Sequence, residues 1–592
     1  MGDTTAREAR CAVIVGPYTA GKTTLLEAML FAAGAIARKG SVPQGSTVGD
    51  AAPEARQRQM TTDPNVVHFT YLGDPWAVID CPGSVELAQE TRTALMAADI
   101  AIVVAEPDPA RAAALAPLLR SLDELAIPHV IFVNKIERAP ARIRDLLSAL
   151  QAASARPLVL REVPIREGDA ITGYVDLVSE RAWHYNENRP SDLVAMPDAV
   201  KDRESEARQE LLEALADFDD GLMEQLLEDK LPATPEIYQQ LTKDLQQDLI
   251  VPVLIGSAEH GNGIVRLLKV LRHEAPGPRQ TAERLGIALN GGLTASVLRT
   301  LHQAHTGKLS LVRLWSGELR EGQTLGGERP SGLYRFKGGE VEKVARAGAG
   351  ELIGAGRCEQ LKPGDLASES ARQPGQHAAW PEAPQPVYAL AVQPQNRQDD
   401  VKLSGAIAKL IEEDPSLALE HNHDTHQMLL WGQGEIHLQL AVERLKNKYN
   451  VAVTTRRPQT PYRETIRRGT DVHSRFKRQS GGHGQFADVK VQIRPQPRGA
   501  GFVFEDAVVG GAVPRQFISS VEDGVKEGLV QGPLGFPVVD VAVRLHDGQY
   551  HSVDSSDMAF KTAGRQAMSE GLPKCEPVLL EPICQVTIDV PT

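Results

Sequence analysis

Gly16 and Gly21 lie either side of four residues in the stretch AVIVGPYTAGKTTLLEAMLF (12–31), and Lys22 and Thr23 follow directly. Two glycines at this spacing let backbone N–H groups turn inward around phosphates at the start of a helix, where free donors and the helix dipole favour negative charge. Lys22 has the length to reach β- and γ-phosphates, and the Thr23 hydroxyl suits a Mg²⁺ ligand. Pro17, Tyr18, Thr19, Ala20 and Thr24 complete the candidate phosphate-binding set. The residue types therefore point to a nucleoside triphosphate.

Three further clusters extend that chemistry. Asp80-Cys81-Pro82-Gly83 ends an apolar run, and an Asp there suits a water-mediated contact to Mg²⁺ while the N–H of Gly83 suits a γ-phosphate. Asn134-Lys135-Ile136-Glu137 offers a carboxylate to the N1–H and exocyclic amine of guanine; adenine presents an acceptor at N1 and is repelled. Gly256-Ser257-Ala258 supplies a backbone donor for the guanine oxygen, with Ser257 and Ala258 as candidate contacts. Thr61, in Arg58-Gln59-Met60-Thr61-Thr62, is a candidate metal ligand with Thr23 and Asp80. Four elements in this order make a GTPase domain using GTP/GDP and Mg²⁺.

The elements that must position these groups are legible from periodicity. Val13–Val15, HFTYLG, WAVID, IAIVVAE (100–106), VIFVNK (130–135) and IVPVLI (250–255) read as strands. Leu25, Leu26, Met29 and Leu30 recur at helical spacing. Strand alternating with helix predicts a doubly wound parallel sheet with ligand at the carboxyl ends of its strands. Residues 34–59 lack apolar periodicity and read as a long functional loop.

The chain has 592 residues, too many for one core, which predicts roughly three to five domains. A net charge of −13 argues against a protein that coats nucleic acid with its whole surface. Charge is uneven, however: residues 201–230 hold eleven acidic and four basic side chains, and residues 456–479 hold eight basic and two acidic. That fits polyanion contact at one end, or simply solvated faces. Five scattered cysteines without a Cys-x-x-Cys pair fit a reducing compartment and no structural zinc. No apolar run reaches membrane-spanning length, so the expectation is a cytoplasmic protein with no membrane partner.

The ordered set GPYTAGKT, DCPG, NKIE and GSA resembles that of the translational GTPases, most closely elongation factor G. The resemblance implies a multidomain α/β protein: a P-loop GTPase domain at 1–279 with an insert at about 157–248, a β-barrel at 280–380, a ferredoxin-like α+β domain at 387–455, and an elongated α+β fourth domain at 456–577. VLLEPICQVTIDVPT looks like the first strand of a fifth domain, expected to be otherwise absent from 578–592. The order VYALAVQP, helix, LALEHN, HQMLLWG, helix, VAVTT independently reads as the split β-α-β motif, and the histidines His421, His423, His426 and His437, three of them in or beside a turn between strands, read as solvent-exposed turn histidines rather than metal ligands. The resemblance further implies a monomer acting on the ribosome. Loops 480–486 and 547–556 would reach rRNA and the tRNA and mRNA of the decoding site, and the insert explains the distance between NKIE and GSA. Three positions depart from the family pattern: Thr19 replaces an Asp, Glu137 replaces the Asp of NKxD, and Ser84 follows DCPG where the family carries a catalytic His. Ser84, Lys22 and Thr61 are the candidate catalytic positions, with Glu86 or Gln89 as neighbours able to substitute for the imidazole.

Overall fold

The computed structural model describes residues 8–140, 142–168, 170–289, 291–303, 306–375, 380–480 and 483–588. The chain forms two compact units, one of residues 1–389, 393–419 and 430–454, the other of residues 390–392, 420–429 and 455–592.

In the first unit, β1 (Arg10–Val15) is followed by α1 (Lys22–Ala32), the short α2 (Pro53–Arg58), β2 (Asn65–Tyr71), β3 (Asp74–Asp80), α3 (Ala88–Leu95), β4 (Ile100–Ala105), α4 (Ala116–Glu124), β5 (His129–Val133) and α5 (Ile143–Gln151). β1 pairs in parallel with β3 and β4, β4 with β5, while β2 runs antiparallel on β3. Side-chain alternation explains the layers. Cys11, Val13 and Val15 join one buried cluster with Leu119, Leu122, Leu146 and Leu150, whereas Ala12 and Ile14 join another with Leu25, Leu26, Met29 and Leu30. A strand buried on both faces must be apolar at nearly every position, which β1, β4 and β5 largely are. Each fully buried Leu, Ile or Val contributes about 1.5–3 kcal/mol.

A further run of strands and helices follows α5. β6 (Leu158–Leu160) edges the main sheet, and β7 (Glu162–Glu167), β8 (Ala170–Asp176), β9 (Arg181–Asn186) and β10 (Arg189–Val194) form a separate antiparallel sheet. α6 (Asp198–Ala216), α7 (Asp220–Leu227) and α8 (Thr234–Gln246) follow. Val163, Val175, Leu211, Leu215, Ile237 and Leu241 form its core. The acidic residues of 201–230 thus lie mainly on the solvent side of α6 and α7. β11 (Val251–Ile255) then returns to the main sheet between β5 and β6, and α9 (Ile264–Glu274) packs with α1.

Strands from Thr294–Gln303 to Leu366–Ala367 surround the cluster of Val297, Val312, Leu314, Leu333 and Ile353. The expected barrel is not closed: its ladder joins the main sheet through Lys337 opposite Val67, and Glu318–Arg320 with Arg346–Gly348 forms a separate two-stranded piece. Among the described residues no pairing links the two pieces. Helices Asp400–Glu413 and Glu435–Asn447 alternate with strands Tyr388–Pro394, Ala418–Asn422, Gln427–Gly432 and Val453–Arg456 in the expected split β-α-β order.

In the second unit, Thr470–Ser480 and His483–Pro495 make a long hairpin, continued by Val541–Gln549 and, in parallel with it, Phe502–Asp506. Residues 481 and 482, part of the predicted contact loop, lie outside the described residues. Helices Arg515–Leu529 and Asp557–Gly571 cover one face, with Phe517 stacked on Phe560 at 4.8 Å. Pro577–Leu580 pairs with Arg463–Ile466, so the run read as a fifth-domain strand begins by completing a two-stranded ladder.

Candidate active site

β1 and β3 are in register with Ile14 opposite Asp80. That pairing sets the loop after β1 beside the turn after β3, at the carboxyl ends of the strands. α1 begins at Lys22 without any side-chain cap, so its first N–H groups are open toward the loop. Gly21 has φ 95°, and a Cβ there would meet Asn134 Nδ2 at 2.4 Å. A Cβ on Gly83 would meet Lys22 Nζ at 2.3 Å. The left-handed φ favours glycine at 21, and at 83 a Cβ would also press on the backbone, 2.7 Å from Tyr18 N and 2.8 Å from the Pro17 carbonyl carbon.

Lys22 is buried, and its Nζ donates to Pro17 O at 3.0 Å. Burial lowers its pKa, opposed by the charge of Asp80. Four oxygens converge beside it. Thr23 Oγ1 donates to Asp80 Oδ2 at 2.7 Å and lies 3.0 Å from Thr61 Oγ1; Thr61 Oγ1 donates to Asp50 Oδ2 at 3.3 Å. Asp80 is wholly buried, its Oδ1 is unpartnered among the described residues, and burial pushes its pKa to about 7. Hydroxyl and carboxylate oxygens brought together out of water form a hard donor set that fits Mg²⁺. Asp50 is invisible to sequence reasoning: it stands in an aperiodic loop, and only the fold carries it to Thr61. Its partners are Thr61 and Asn65, the latter at 3.0 Å.

The loop bearing Asp50 and Thr61 is fixed by Glu27 of α1, whose carboxylate accepts from Gly40 N at 2.7 Å and Val48 N at 2.6 Å. Asn134 ties the remaining loops together. Its Nδ2 donates to Ala20 O and its Oδ1 accepts from Ala258 N, both at 2.9 Å. Lys135, at φ 58°, reaches Thr19 O at 2.6 Å and Glu106 Oε1 at 2.7 Å. Thr19 itself has φ 68°, costly for a β-branched residue, and the Lys135 contact anchors it. Glu137 is solvent-exposed beside this group and Ser257 is buried with its Oγ unpartnered among the described residues. Tyr18 is exposed and Thr24 half-buried on the first turn of α1. The predicted residues are thus gathered at one end of the sheet, around a site suited to holding phosphates and a cation and to presenting a carboxylate to a base.

Three family models match the chain: Elongation factor Tu GTP binding domain over residues 7–277, Elongation Factor G, domain III over 383–457, and Elongation factor G, domain IV over 458–576. An Elongation factor G-like protein of Synechocystis sp. is 48% identical, covering 100% of this chain and 88% of its own. The chain belongs to the elongation factor G-like translational GTPases. A crystal structure of a protein from Thermus thermophilus superposes with TM-score 0.80 at 32% identity, covering 97% of this chain and 86% of that one. The GTPase class implies guanine nucleotide binding, and no described helix is long and apolar enough to cross a membrane.

Of the two neighbours that could stand in for the family His, Glu86 is engaged elsewhere and Gln89 is not. Ser84 is half-buried with no side-chain bond to the Val85–Leu87 turn that follows. Glu86 is committed to His437 N at 2.8 Å, whereas Gln89 is buried with its Oε1 unpartnered among the described residues. His437 departs from the solvent-exposed reading: it is buried on the helix Glu435–Asn447 with its Nε2 2.8 Å from Asp414 Oδ2; His421, His423 and His426 join no candidate metal cluster among the described residues.

Proposed function

We propose that this chain is a GTP-binding factor that acts on the ribosome and hydrolyses GTP more slowly than elongation factor G. The observation that carries the reading is the convergence of Lys22, Thr23, Thr61 and Asp80 at the head of α1 with Ser84 following the DCPG turn. Lys22 and the open N–H groups of α1 hold the phosphates; Thr23, Thr61 and, through water, Asp80 hold Mg²⁺, which when bound neutralises charge on the phosphate oxygens. Gly16 to Thr24 and Gly83 line the phosphates. Asn134 braces the base loop, Lys135 packs along it, Glu137 selects guanine, and Ser257 and Ala258 close over it. Thr61 carries the first switch, ordered by the γ-phosphate.

The division into a GTPase domain at 1–279 with insert, a β domain at 280–380, domains at 387–455 and 456–577, and the segment 578–592 is part of the same reading. So is a monomer in the cytoplasm whose loops 480–486 and 547–556 meet rRNA, tRNA and mRNA. A second reading, a GTP-dependent ribosome-binding regulator with little turnover, is favoured by Ser84, which offers no imidazole to orient water. Multiple-turnover GTP hydrolysis with and without ribosomes tests both. Slow but ribosome-stimulated turnover supports the first, binding without turnover the second, and absence of any ribosome effect sinks both.

A further inference from the structure

A cavity of about 590 Å³ lies in the first unit where β8, β9, β10, α8 and α9 meet, a volume that takes a small organic ligand. Tyr174, Trp183 and Tyr238 contribute ring surface to its lining, and Arg181, Arg189 and Lys269 contribute cations. The inner charges of the lining are already matched. Arg266 pairs with Asp176, and Glu274 takes a two-pronged pair from buried Arg161 at 2.7 and 3.1 Å. Those pairs hold α9 against the insert and leave no inner cation for a ligand.

Arg181, Arg189 and Lys269 differ: among the described residues none has an ion pair or side-chain hydrogen bond. Three uncompensated cations around one concavity are notable in a chain of net charge −13, because a cleft focuses the potential of its lining. Flexible lysine and arginine heads suit phosphate oxygens. Aromatic faces suit a base, and stacking tolerates any base because every base has a π-face. The lining offers the rings, while its two carboxylates, Asp176 and Glu274, are already paired with Arg266 and Arg161 and so are not left to read one base edge as Glu137 is. Its lining includes none of Asn134, Lys135, Glu137, Ser257 and Ala258. Gly261 and Gly263 belong to its lining, in the turn closed by Ser257 N to Asn262 O at 3.0 Å and Asn262 N to Ser257 O at 2.9 Å.

We propose that this cavity is a second ligand site that binds a nucleoside phosphate without selecting its base, the phosphates meeting Arg181, Arg189 and Lys269 and the base stacking among Trp183, Tyr174 and Tyr238.

The test uses the full chain carrying one equivalent of GDP with Mg²⁺, titrated with ADP by calorimetry, because the guanine site is then filled and also rejects adenine. The expected result is saturable uptake of one ADP per chain, with adenosine binding about tenfold or more weakly for want of the phosphates. The double variant Arg189→Ala/Lys269→Ala removes two cations that pair with nothing else and is expected to keep the parent's melting temperature and GDP affinity while losing about tenfold or more in ADP affinity. Trp183→Leu is expected to weaken ADP and adenosine alike. No ADP uptake up to about 1 mM, or uptake indifferent to the double variant, overturns the proposal and leaves the three cations as an ordinary solvated rim.

Discussion

The Glu86 carboxylate accepts the backbone N–H of His437 at 2.8 Å, so the helix Glu435–Asn447 is capped by a residue outside its own segment. Gly434 at its N-cap has no side chain to do so, and a Cβ there would meet the Glu86 carboxyl carbon at 2.3 Å. The same helix is gripped again two turns on. Arg58 forms a two-pronged pair with Glu443 at 2.5 and 2.7 Å, and Arg444 reaches Asp63 at 2.5 Å. The turn after β3 and the loop bearing Thr61 therefore hold one helix in common, so displacement of either loses a bond to it.

Glu86→Ala removes the cap and its charge at a helix N-terminus. A loss of about 0.5–2 kcal/mol is expected, with Glu86→Gln retaining part of the bond. Urea midpoints of the three proteins at one pH check this, and equal midpoints for Glu86→Ala and the parent would show that the cap contributes nothing.

Asp80 gives the nucleotide-free protein a pH dependence of definite sign. Its ordinary pKa of 3.8 is raised to about 7 by burial, so the folded state holds a proton that the unfolded state has released. The associated stability is complete below pH 3.8 and is lost as pH rises through about 7. Asp80→Asn, which cannot ionise, is expected to gain stability relative to the parent as pH rises from about 5 to 8, while losing affinity for Mg²⁺ with GTP. Thermal melts at those pH values without nucleotide, repeated with Mg²⁺ and GDP, measure both effects. A stability difference that does not vary with pH would mean that Asp80 is ionised throughout.

The site is legible where chemistry lies along the chain. Lys22 and Thr23 are adjacent to their glycine, and Asp80 and Gly83 share one turn, so spacing alone identifies them. β1, β4 and β5 are equally plain, because burial on both faces makes each an apolar run. Asp50 and Glu106 are not legible. Each acts through contacts that only the fold makes, Asp50 on Thr61 and Asn65 and Glu106 on Lys135, and no spacing in the sequence marks either role. Glu86 is hidden for the same reason: its partner is a backbone N–H far along the chain, and no side-chain pattern marks it. The open β ladder at 294–367 also escapes, since strand spacing predicts strands but not closure.

Asn134 and Glu137 stand close in sequence but are expected to fail differently. Asn134→Ala strands Ala20 O and Ala258 N, groups in a buried setting, each costing about 1–3 kcal/mol. Both stability and all nucleotide binding should fall. Glu137 is exposed, so Glu137→Ala should leave the melting temperature unchanged and weaken GDP by about 1–3 kcal/mol, narrowing the preference for GDP over ADP. Titration of both nucleotides into both variants checks this; equal affinity of the parent for GDP and ADP would sink the guanine assignment.

Ser84 separates binding from turnover. Catalysis of phosphoryl transfer to water rests on positioning the water and stabilising charge, and the family resemblance places a His after the DxPG turn for that task. A serine hydroxyl sits one rotatable bond from the backbone and does not titrate near neutral pH. Glu86 is committed to His437, Gln89 is buried with its Oε1 unpartnered among the described residues, and neither is an imidazole that titrates near neutral pH. The remaining parts are gathered, with Thr23 within hydrogen-bond distance of both Thr61 and Asp80. Ser84→His is therefore expected to raise ribosome-stimulated GTP turnover by about 10²-fold or more, while leaving GDP affinity unchanged because residue 84 contributes no side-chain bond to the loop. Single-turnover hydrolysis on purified ribosomes, measured for parent and variant beside elongation factor G, decides the matter: a parent as fast as elongation factor G, or a variant no faster than the parent, would show that water is oriented by some other group.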